Sequence, residues 1–376
     1  MEWVRGEILG HGSFASVSLA KPTSQSGGNS PMAVKSCSAS NPASLINEKS
    51  ILDEFKDCPD IIQCYGDSYS FEHGEKLYNL FLEYASGGAL ANKVKSSCDQ
   101  RLPECEVRRY AKGILRGLNC IHKSGYVHCD IKLQNILLTQ EGEVKIADFG
   151  LAKKVSNGKG KKLGCELRGT PLYMSPEMVA GGDQSSPADI WALGCVVAEM
   201  VTGIPAWGSS NDLAGLLMRI GVGEQVPEVP GNLSEEGKDF LRKCFVKDPQ
   251  LRWTAEMLLN HPFVSSSSEF DHRHSHATVT FDNVRCWPSP SPRSAFDFPD
   301  WVSQQSSSST FSITPLSSPA STPGNGSWFP GQDQLKSCGG SSSWFSSAAE
   351  RLRGLVSDQQ LDSDCFSNSG DWIDVR

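Results

Sequence analysis

The sequence predicts an α+β fold of two lobes, a small β-rich lobe over residues 3–86 and a mostly helical lobe over 87–264, followed by a tail. Three observations support this prediction. Near the N terminus, apolar residues flank a Gly-x-Gly turn, as in two strands joined by a tight hinge. Residues 104–122 instead repeat their apolar positions at helical spacing. Beyond Val264 the composition shifts to Ser, Pro, Gly and Asp, which predicts that most of 265–376 is disordered.

The first pair of strands, over residues 8–20, places Gly10 and Gly12 at its hinge. Because neither position has a side chain, backbone N–H groups there can lie over phosphate oxygens. Such a loop is a weak signal by itself, since ordinary hairpins use glycine in the same way.

Two charged residues follow in predicted elements of the same lobe. Residues 32–35 predict a strand that ends in Lys35, and 43–55 predict a helix that carries Glu48. Their order and spacing favour an ion pair over two exposed charges, although exposure is the commoner state of such residues. An apolar run over 77–84 then predicts a strand that leads into the connection between the lobes.

The second lobe is predicted to contain two core helices. Residues 104–122 carry their apolar side chains on one helical face, and we assign that face no chemistry. The most apolar segment, 190–207, includes Glu199 and Pro205, so we predict a buried helix there and no membrane span.

The residues with the clearest chemistry lie between these helices, in the run His128-Cys129-Asp130-Ile131-Lys132-Leu133-Gln134-Asn135, which Asp148-Phe149-Gly150 follows. This ordered set is typical of phosphoryl transfer. Asp130 would accept the proton of an attacking hydroxyl, and Lys132 would neutralise charge on the transferred group. Asn135 and Asp148 would hold Mg²⁺ ions that bridge nucleotide phosphates. The alternative is that these polar residues only cap turns.

Residues 3–264 thus resemble a eukaryotic protein kinase, and the Asp-Ile-Lys-x-x-Asn pattern that begins at Asp130 resembles the serine/threonine branch. The resemblance implies a bilobal protein kinase fold with ATP and Mg²⁺ between the lobes. It also implies that Lys35 and Glu48 act with Asp130 and Lys132 in catalysis. The residues that it places against ATP are Ile8, Gly10, Gly12, Val17, Ala33, Lys35, Leu82, Glu83 and Ala85.

The same resemblance implies further contacts in the second lobe. Thr170 should touch Asp130 and Lys132, and Asp189 should brace the backbone of the catalytic loop. A further ion pair is expected between Glu177 and Arg252.

Three positions depart from the usual kinase pattern. Ala15 replaces the third glycine of the phosphate loop, which predicts a slightly altered nucleotide affinity. Ser175 replaces an alanine near the end of the activation segment. Cys129 stands where an arginine ordinarily pairs with a phosphorylated activation loop, and a thiol cannot supply that cation. We therefore expect activity to depend less on phosphorylation of this loop.

The catalytic loop, the segment 168–177 and the segments 247–249 and 252–255 together resemble the short plant MEKK-type mitogen-activated protein (MAP) kinase kinase kinases. This implies phosphorylation of activation-loop Ser/Thr in MAP kinase kinases, in abscisic-acid or stress signalling. Three alternatives stay open: a serine/threonine kinase outside this cascade, a weakly active kinase that acts as a scaffold, and an interaction protein that acts through its tail.

Composition narrows the location and the partners. The net charge of −8 does not favour a nucleic-acid partner. The first five residues lack the apolar stretch of a secretory signal, so we expect a cytoplasmic protein, with the nucleus left open. The 13 cysteines are then expected to be free thiols.

The tail carries candidate regulatory features. Downstream MAP kinases are predicted to phosphorylate its Ser/Thr-Pro sites, which would add negative charge. Its alternating histidines, 272–276, are better explained as a solvated linker than as a metal site. Two segments with apolar anchors, 296–301 and 348–356, suggest docking of a partner or of the kinase lobe itself. Because a short helix of this size is marginal alone, apolar content without a function is the alternative for both segments. The five Ser/Thr-Pro sites begin at Ser289, Ser291, Thr314, Ser318 and Thr322.

Overall fold

The structure is a computed structural model, and the predictions made above for the tail lie outside the residues that it describes. These are residues 2–12, 15–23, 30–155, 168–181, 184–208 and 212–265.

The first lobe is built on one antiparallel sheet of five strands. Their bounds are β1 Trp3–His11, β2 Ser16–Pro22, β3 Met32–Ser38, β4 Cys64–Glu72 and β5 Glu75–Glu83. The strand order is β1-β2-β3-β5-β4, so β4 is an edge strand. Val17 is paired with Lys35, and Ala33 with Leu82. Since paired residues share a face and side chains alternate along a strand, these four side chains lie on one face of the sheet.

The predicted helix over 43–55 is divided in two. An α-helix, α1, spans Ala43–Leu52, and a 3₁₀ turn continues it over Asp53–Phe55. Phe55, 2% exposed, is packed into the core and fixes the end of this segment. Helix α1 packs against the face of the sheet that carries Lys35, because Glu48 bonds to that lysine.

The second lobe is mainly helical, with short strands near the connection between the lobes. Its helices are α2 Leu90–Ser96, α3 Glu104–Lys123, α4 Pro176–Val179, α5 Ser186–Thr202, α6 Leu213–Gly221, α7 Glu235–Cys244, α8 Ala255–Leu259 and α9 Pro262–Ser265. Its strands are β6 Gly88–Ala89, β7 Tyr126–Val127, β8 Ile136–Leu138, β9 Val144–Ile146 and β10 Lys153–Lys154.

Helices α3 and α5 form the core of this lobe. Helix α3 agrees closely with the predicted 104–122 and buries the predicted apolar face. Helix α5 begins earlier than predicted and ends at Thr202, because Gly203 adopts a left-handed conformation with φ 77° and Pro205 follows it. The prediction of a helix as far as residue 207 was therefore wrong at its C-terminal end.

The larger hydrophobic core extends through both lobes and includes α3. A second, smaller cluster in the first lobe consists of Ala20, Met32, Val34 and Phe81. A Cβ atom added to Gly117 of α3 would lie 2.6 Å from the Ile146 side chain, so only glycine permits this close packing. Within the described part of the chain, no helix is both long and apolar enough to cross a membrane. The described cysteines are free thiols, as predicted.

Candidate active site

The carboxylate of Asp130 lies on the loop between β7 and β8, where it accepts hydrogen bonds from three side chains and one backbone amide. Thr170 donates its backbone N–H at 3.1 Å and its hydroxyl at 2.8 Å to Oδ1. Lys132 Nζ lies 2.8 Å from Oδ2, and Asn135 Nδ2 donates to the same oxygen at 3.0 Å. Lys132 also donates to the Thr170 hydroxyl at 3.0 Å, so the predicted contact of Thr170 with both residues is present.

The backbone of this loop is held by Asp189, a residue of α5 that is 1% exposed. Its carboxylate accepts the N–H groups of His128 at 2.9 Å and Cys129 at 3.0 Å, as the sequence predicts. Sequence reasoning missed a third contact, from His122 Nε2 at 2.9 Å. Burial alone would raise the pKa of Asp189, but these hydrogen bonds and the nearby imidazoles hold it below its usual value. The contacts also hold Cys129 at φ 69°, a conformation rare for a residue with a side chain.

Lys35 forms the predicted ion pair with Glu48 between the sheet and α1. The Nζ atom lies 2.5 Å from Oε2 and 2.8 Å from Oε1 of Glu48, which is 1% exposed. Lys35 also contacts Oδ1 of Asp148 at 2.8 Å, so one cation joins two carboxylates. This second contact was not predicted, because residues 113 positions apart give no periodic signal.

Asp148 and Phe149 are fixed by backbone geometry. Asp148 adopts a left-handed conformation with φ 66°. The next amide, of Phe149, donates to Glu48 Oε1 at 3.2 Å. The Phe149 ring is fully buried and packs edge-on against His128, with ring centroids 4.9 Å apart. The buried ring thus anchors the turn that presents Asp148 beside Lys35.

The two predicted metal ligands, Asn135 and Asp148, come from adjacent chain segments. Ala147, which precedes Asp148, donates its N–H to the Asn135 carbonyl at 2.9 Å. The Asn135 amide nitrogen is bonded to Asp130, which leaves its side-chain oxygen as a potential metal ligand. Among the described residues, no group of three or more His, Cys, Asp or Glu side chains is arranged for a metal ion. One carboxylate and one amide oxygen fit Mg²⁺ bound largely through nucleotide phosphates.

The residues expected to contact ATP are only partly gathered into one surface. Val17, Ala33 and Leu82 share the sheet face of Lys35, and Ala85, 7% exposed, follows β5. A Cβ added to Gly10 would meet no atom within 4 Å, so the chain leaves open space there for a ligand. Ile8 is placed differently: it pairs with Ser18 between two register shifts of β1, and it is 51% exposed.

Gly12 and Glu83 contribute backbone groups to this region. The N–H of Gly12 donates to the Ala15 carbonyl at 2.8 Å, which closes the turn after β1. The Glu83 carboxylate points to Lys145 Nζ, at 2.8 Å, and accepts the Gln63 N–H at 3.1 Å. The side chain of Glu83 therefore braces the connection between the lobes, and its backbone N–H is also bonded, to the Gln63 carbonyl at 2.8 Å. Sequence reasoning did not anticipate Lys145 as its partner.

Two landmarks lie around the end of the activation segment. Arg252, whose side chain is 0% exposed, makes the predicted ion pair with Glu177, with Nη1 2.7 Å from Oε1. Cys129 is buried, and burial raises the pKa of its thiol well above the usual range, with the Asp189 charge adding to the effect. Lys153 and Arg168 act on the same thiol with the opposite sign.

Comparison with known proteins identifies the family. Residues 3–264 match the protein kinase domain. Over 380 residues, the chain is 46% identical to "Mitogen-activated protein kinase kinase kinase 20" of Arabidopsis thaliana, with 100% of both proteins covered. The Arabidopsis thaliana protein "Mitogen-activated protein kinase kinase kinase 17" is 41% identical over 72% of each chain. "Mitogen-activated protein kinase kinase kinase 18" of the same plant is 42% identical over 70% of this chain and 78% of its own. The chain is therefore a serine/threonine kinase that uses ATP and a divalent metal ion. The bilobal fold and the buried lysine–glutamate pair agree with these similarities. Together they show that the chain belongs to the protein kinase family and, within it, to the plant MEKK-type MAP kinase kinase kinases.

Proposed function

We propose that this kinase transfers the γ-phosphoryl group of Mg·ATP to activation-loop serine or threonine residues of MAP kinase kinases. The observation that carries the proposal is the set of donors around Asp130, in which Lys132 and Thr170 bond to the carboxylate and to each other. The names of the relatives support this substrate class, since they describe kinases of MAP kinase kinases. The resemblance of the motifs suggests abscisic-acid or stress signalling as the pathway. A cytoplasmic location stays a prediction.

The residues present fit a bound nucleotide and metal. Lys35 would face the phosphates, and Asn135 and Asp148 would hold Mg²⁺ through their side-chain oxygens. Bound Mg·ATP supplies the phosphoryl group and a positive charge that stabilises the transferring oxygens. The backbone at Gly10 and Gly12 would cover the phosphates, where a side chain would obstruct them.

Asp130 has a specific task when the substrate hydroxyl arrives. A carboxylate offers about four acceptor positions, and here Thr170 N–H, Thr170 hydroxyl, Asn135 and Lys132 occupy them. One donor must leave before Asp130 can accept the substrate proton. We assign that move to Lys132, because its ammonium group can turn from Asp130 to the phosphoryl oxygens while the other three bonds hold the carboxylate in place.

The test is phosphate transfer by purified, phosphatase-treated full chain to a panel of catalytically inactive MAP kinase kinases. Products are mapped by mass spectrometry, with Asp130→Asn as the inactive variant. The matched control is Asp99→Asn, which removes an exposed carboxylate paired only with Arg101 among the described residues. We expect transfer to activation-loop Ser/Thr by wild type and Asp99→Asn. Asp130→Asn should be at least about 100-fold slower, since it loses the general base.

Three outcomes would contradict the proposal in different ways. Transfer to a general acceptor protein added to the same assay, but to no MAP kinase kinase, would indicate a kinase outside the MAP kinase cascade. ATP binding without transfer would favour a scaffold, although the intact Lys35–Glu48 pair argues against that. Equal rates for Asp130→Asn and wild type would remove Asp130 from the mechanism.

A further inference from the structure

A surface cavity of about 480 Å³ lies in the second lobe, where the turn before α3 meets the turn before α7. Leu102 and Pro103 line it from the first turn, and Asn232 and Leu233 line it from the second. Val201 of α5 lies between them in the lining. We call it the α3–α7 cavity. The function proposed above uses none of these residues.

The α3–α7 cavity has an apolar base and a polar rim. Leu102, Val201 and Leu233 are 5%, 4% and 5% exposed, as side chains at the base of a depression are. Cys98 and Arg101, which also line the cavity, are exposed. Ligand pockets in proteins span roughly 300–1,000 Å³ and combine apolar walls with a few polar groups. The cavity is therefore large enough to hold an aromatic side chain with polar residues on either side of it.

The last described helix, α9, ends beside this cavity. Arg108 donates to the Phe263 carbonyl at 3.1 Å, to Glu104 Oε1 at 2.5 Å and to Ser234 Oγ at 2.9 Å. Glu104 lines the cavity, and Ser234 follows Leu233. Since one guanidinium group makes all three bonds, the Phe263 carbonyl lies within about 8 Å of the Glu104 carboxylate. Helical carbonyl groups point toward the C-terminal end, so the chain leaves α9 on the side of the cavity.

The first aromatic residue after α9 is close enough to reach the cavity. Phe270 lies five residues beyond Ser265, after three further serines. Fully extended, that stretch spans about 17 Å, and as a coil it spans about 12 Å on average. Both lengths exceed the separation of about 8 Å between the end of α9 and the cavity wall. The short connection therefore gives Phe270 a high effective concentration at the cavity.

The other apolar segments of the tail are less favourably placed. Residues 296–301 follow about 30 residues of chain, for which the average span of a coil is about 30 Å. Residues 348–356 follow roughly 80 residues, with a span of about 50 Å. Once a linker is longer than the distance to its site, effective concentration falls with linker length. Proximity thus selects the segment around Phe270.

We propose that Glu269-Phe270-Asp271 docks in the α3–α7 cavity, with the Phe270 ring on its apolar base, and that the folded domain thereby extends past Val264. Charge supports this occupant as well. Arg101 at the rim is 51% exposed at its side chain, so it can pair with the carboxylates on both sides of the ring. Docking there fixes the start of the tail at the junction of α3, α7 and α9.

The first test is alkylation of the full chain by N-ethylmaleimide, followed by peptide mass spectrometry. Cys98 lines the cavity and is exposed, so a docked ring would shield it. Cys105 is also exposed but does not line the cavity, and it serves as the internal reference. Phe270→Ala removes the anchor, and Phe281→Ala is the matched control in the same tail. Two further variants remove the other apolar segments: Phe296→Ala with Phe298→Ala and Trp301→Ala, and Leu352→Ala with Leu355→Ala.

We expect the alkylation rate of Cys98, relative to that of Cys105, to rise about fivefold in Phe270→Ala and to stay unchanged in the other variants. An unchanged ratio in Phe270→Ala would overturn the proposal. An equal rise in Phe281→Ala would also overturn it, since the effect would then not depend on this anchor. A rise in only one of the two remaining variants would assign the cavity to that segment instead.

The second test maps the contact directly by photo-cross-linking. The photoreactive residue p-benzoylphenylalanine is introduced at position 270 and, as the control, at position 281. After irradiation, position 270 should form adducts with residues 101–103 or 232–233 of the same chain, and position 281 should not. Adducts at other positions would overturn the proposal, and covalent dimers would show that a second copy occupies the cavity. Neither test requires phosphate transfer, so these outcomes are distinct from a failure of the proposed function.

Discussion

The catalytic loop and helix α1 hold charged residues for the same reaction, but they are stabilised in different ways. The loop around Asp130 is tied to Asp189 on α5, a helix whose described side chains are nearly all buried. Helix α1 buries only Leu45, Glu48, Ile51 and Leu52 and offers no side-chain cap at Pro42. The catalytic loop is bound to the most buried helix of the fold, whereas α1 depends on its neighbours.

This difference indicates which part of the kinase can be adjusted. Buried hydrogen bonds to charged groups resist change, because each lost partner leaves an unsatisfied group in the core. Elements with few buried contacts open at lower free-energy cost. Catalysis is therefore most readily controlled through α1 and its ion pair, with the loop around Asp130 as a fixed platform.

The largest effect is expected for Asp189→Asn. The amide has one acceptor oxygen where the carboxylate has two, so its NH₂ group must face the backbone N–H of His128 or Cys129. We expect a loss of about 3 kcal/mol in the free energy of unfolding, seen as a fall in Tm of about 10 °C. Activity should be lost with it.

Glu199→Gln on the same helix is the matched control. Glu199 accepts the Tyr173 hydroxyl at 2.5 Å, and a glutamine oxygen can still do so, so we expect a change below about 1 kcal/mol. Lowering the pH should change the stability of the two variants, relative to wild type, in opposite directions. The pKa of Asp189 is lowered in the folded state. The free energy of unfolding of wild type should therefore exceed that of Asp189→Asn by its full amount above about pH 4, and the difference should shrink as the pH falls. Burial raises the pKa of Glu199. The stability of wild type relative to Glu199→Gln should therefore be greatest at low pH and should decrease as the pH rises. Equal stability of the two variants would remove the special role of Asp189.

Glu48→Gln should cause a large loss of activity with only a small loss of stability, whereas Asp189→Asn should lose both. The glutamine can still accept the Phe149 amide, but Lys35 then keeps only Asp148 as its charged partner among the contacts described here. We expect kcat/KM for ATP to fall by roughly 10- to 100-fold and the free energy of unfolding by less than about 2 kcal/mol. Steady-state kinetics and thermal unfolding check both values.

The control for Glu48→Gln is Glu256→Gln, which makes the same chemical change in an exposed pair with Lys123 and should leave both quantities unchanged. If Glu48→Gln unfolded the kinase as readily as Asp189→Asn does, the contrast between the two regions would be wrong.

Ser175→Ala should stabilise the second lobe slightly. Among the described residues, none hydrogen bonds to the Ser175 hydroxyl, although the residue is 0% exposed. It precedes α4 without capping it, so alanine forfeits no hydrogen bond there. Removing a buried unsatisfied hydroxyl should raise the free energy of unfolding by about 1 kcal/mol, measured by urea denaturation. Destabilisation would mean that this hydroxyl has a partner.

Ser175 also shows where sequence patterns are informative. The pattern identified it as a departure from an alanine, and the structure gives the physical consequence. Local motifs likewise located Asp130, Lys132, Asn135 and Asp148, because loop chemistry fixes residue types at short spacing.

Contacts made by the folded chain had no such local signal. The third partner of Asp189, the pairing of Lys145 with Glu83 and the contact of Lys35 with Asp148 join residues far apart in sequence. The end of α5 was mispredicted because Gly203 outweighs the apolar run that continues past it.

The smallest effect is expected from removing activation-loop phosphates. An arginine at position 129 would need an anion as its partner. The Cys129 thiol stays neutral because burial raises its pKa, so position 129 carries no cation that a phosphate could pair with. We expect phosphatase treatment to change kcat/KM for a protein substrate by less than about twofold, with Asp130→Asn as the background rate. Cys129→Arg should reverse this behaviour, because the new charge lies near Lys153 and Arg168 and a phosphate would relieve the repulsion. A loss of wild-type turnover on dephosphorylation would show that another cation has taken over the task of the missing arginine, and the loop around Asp130 would then be adjustable after all.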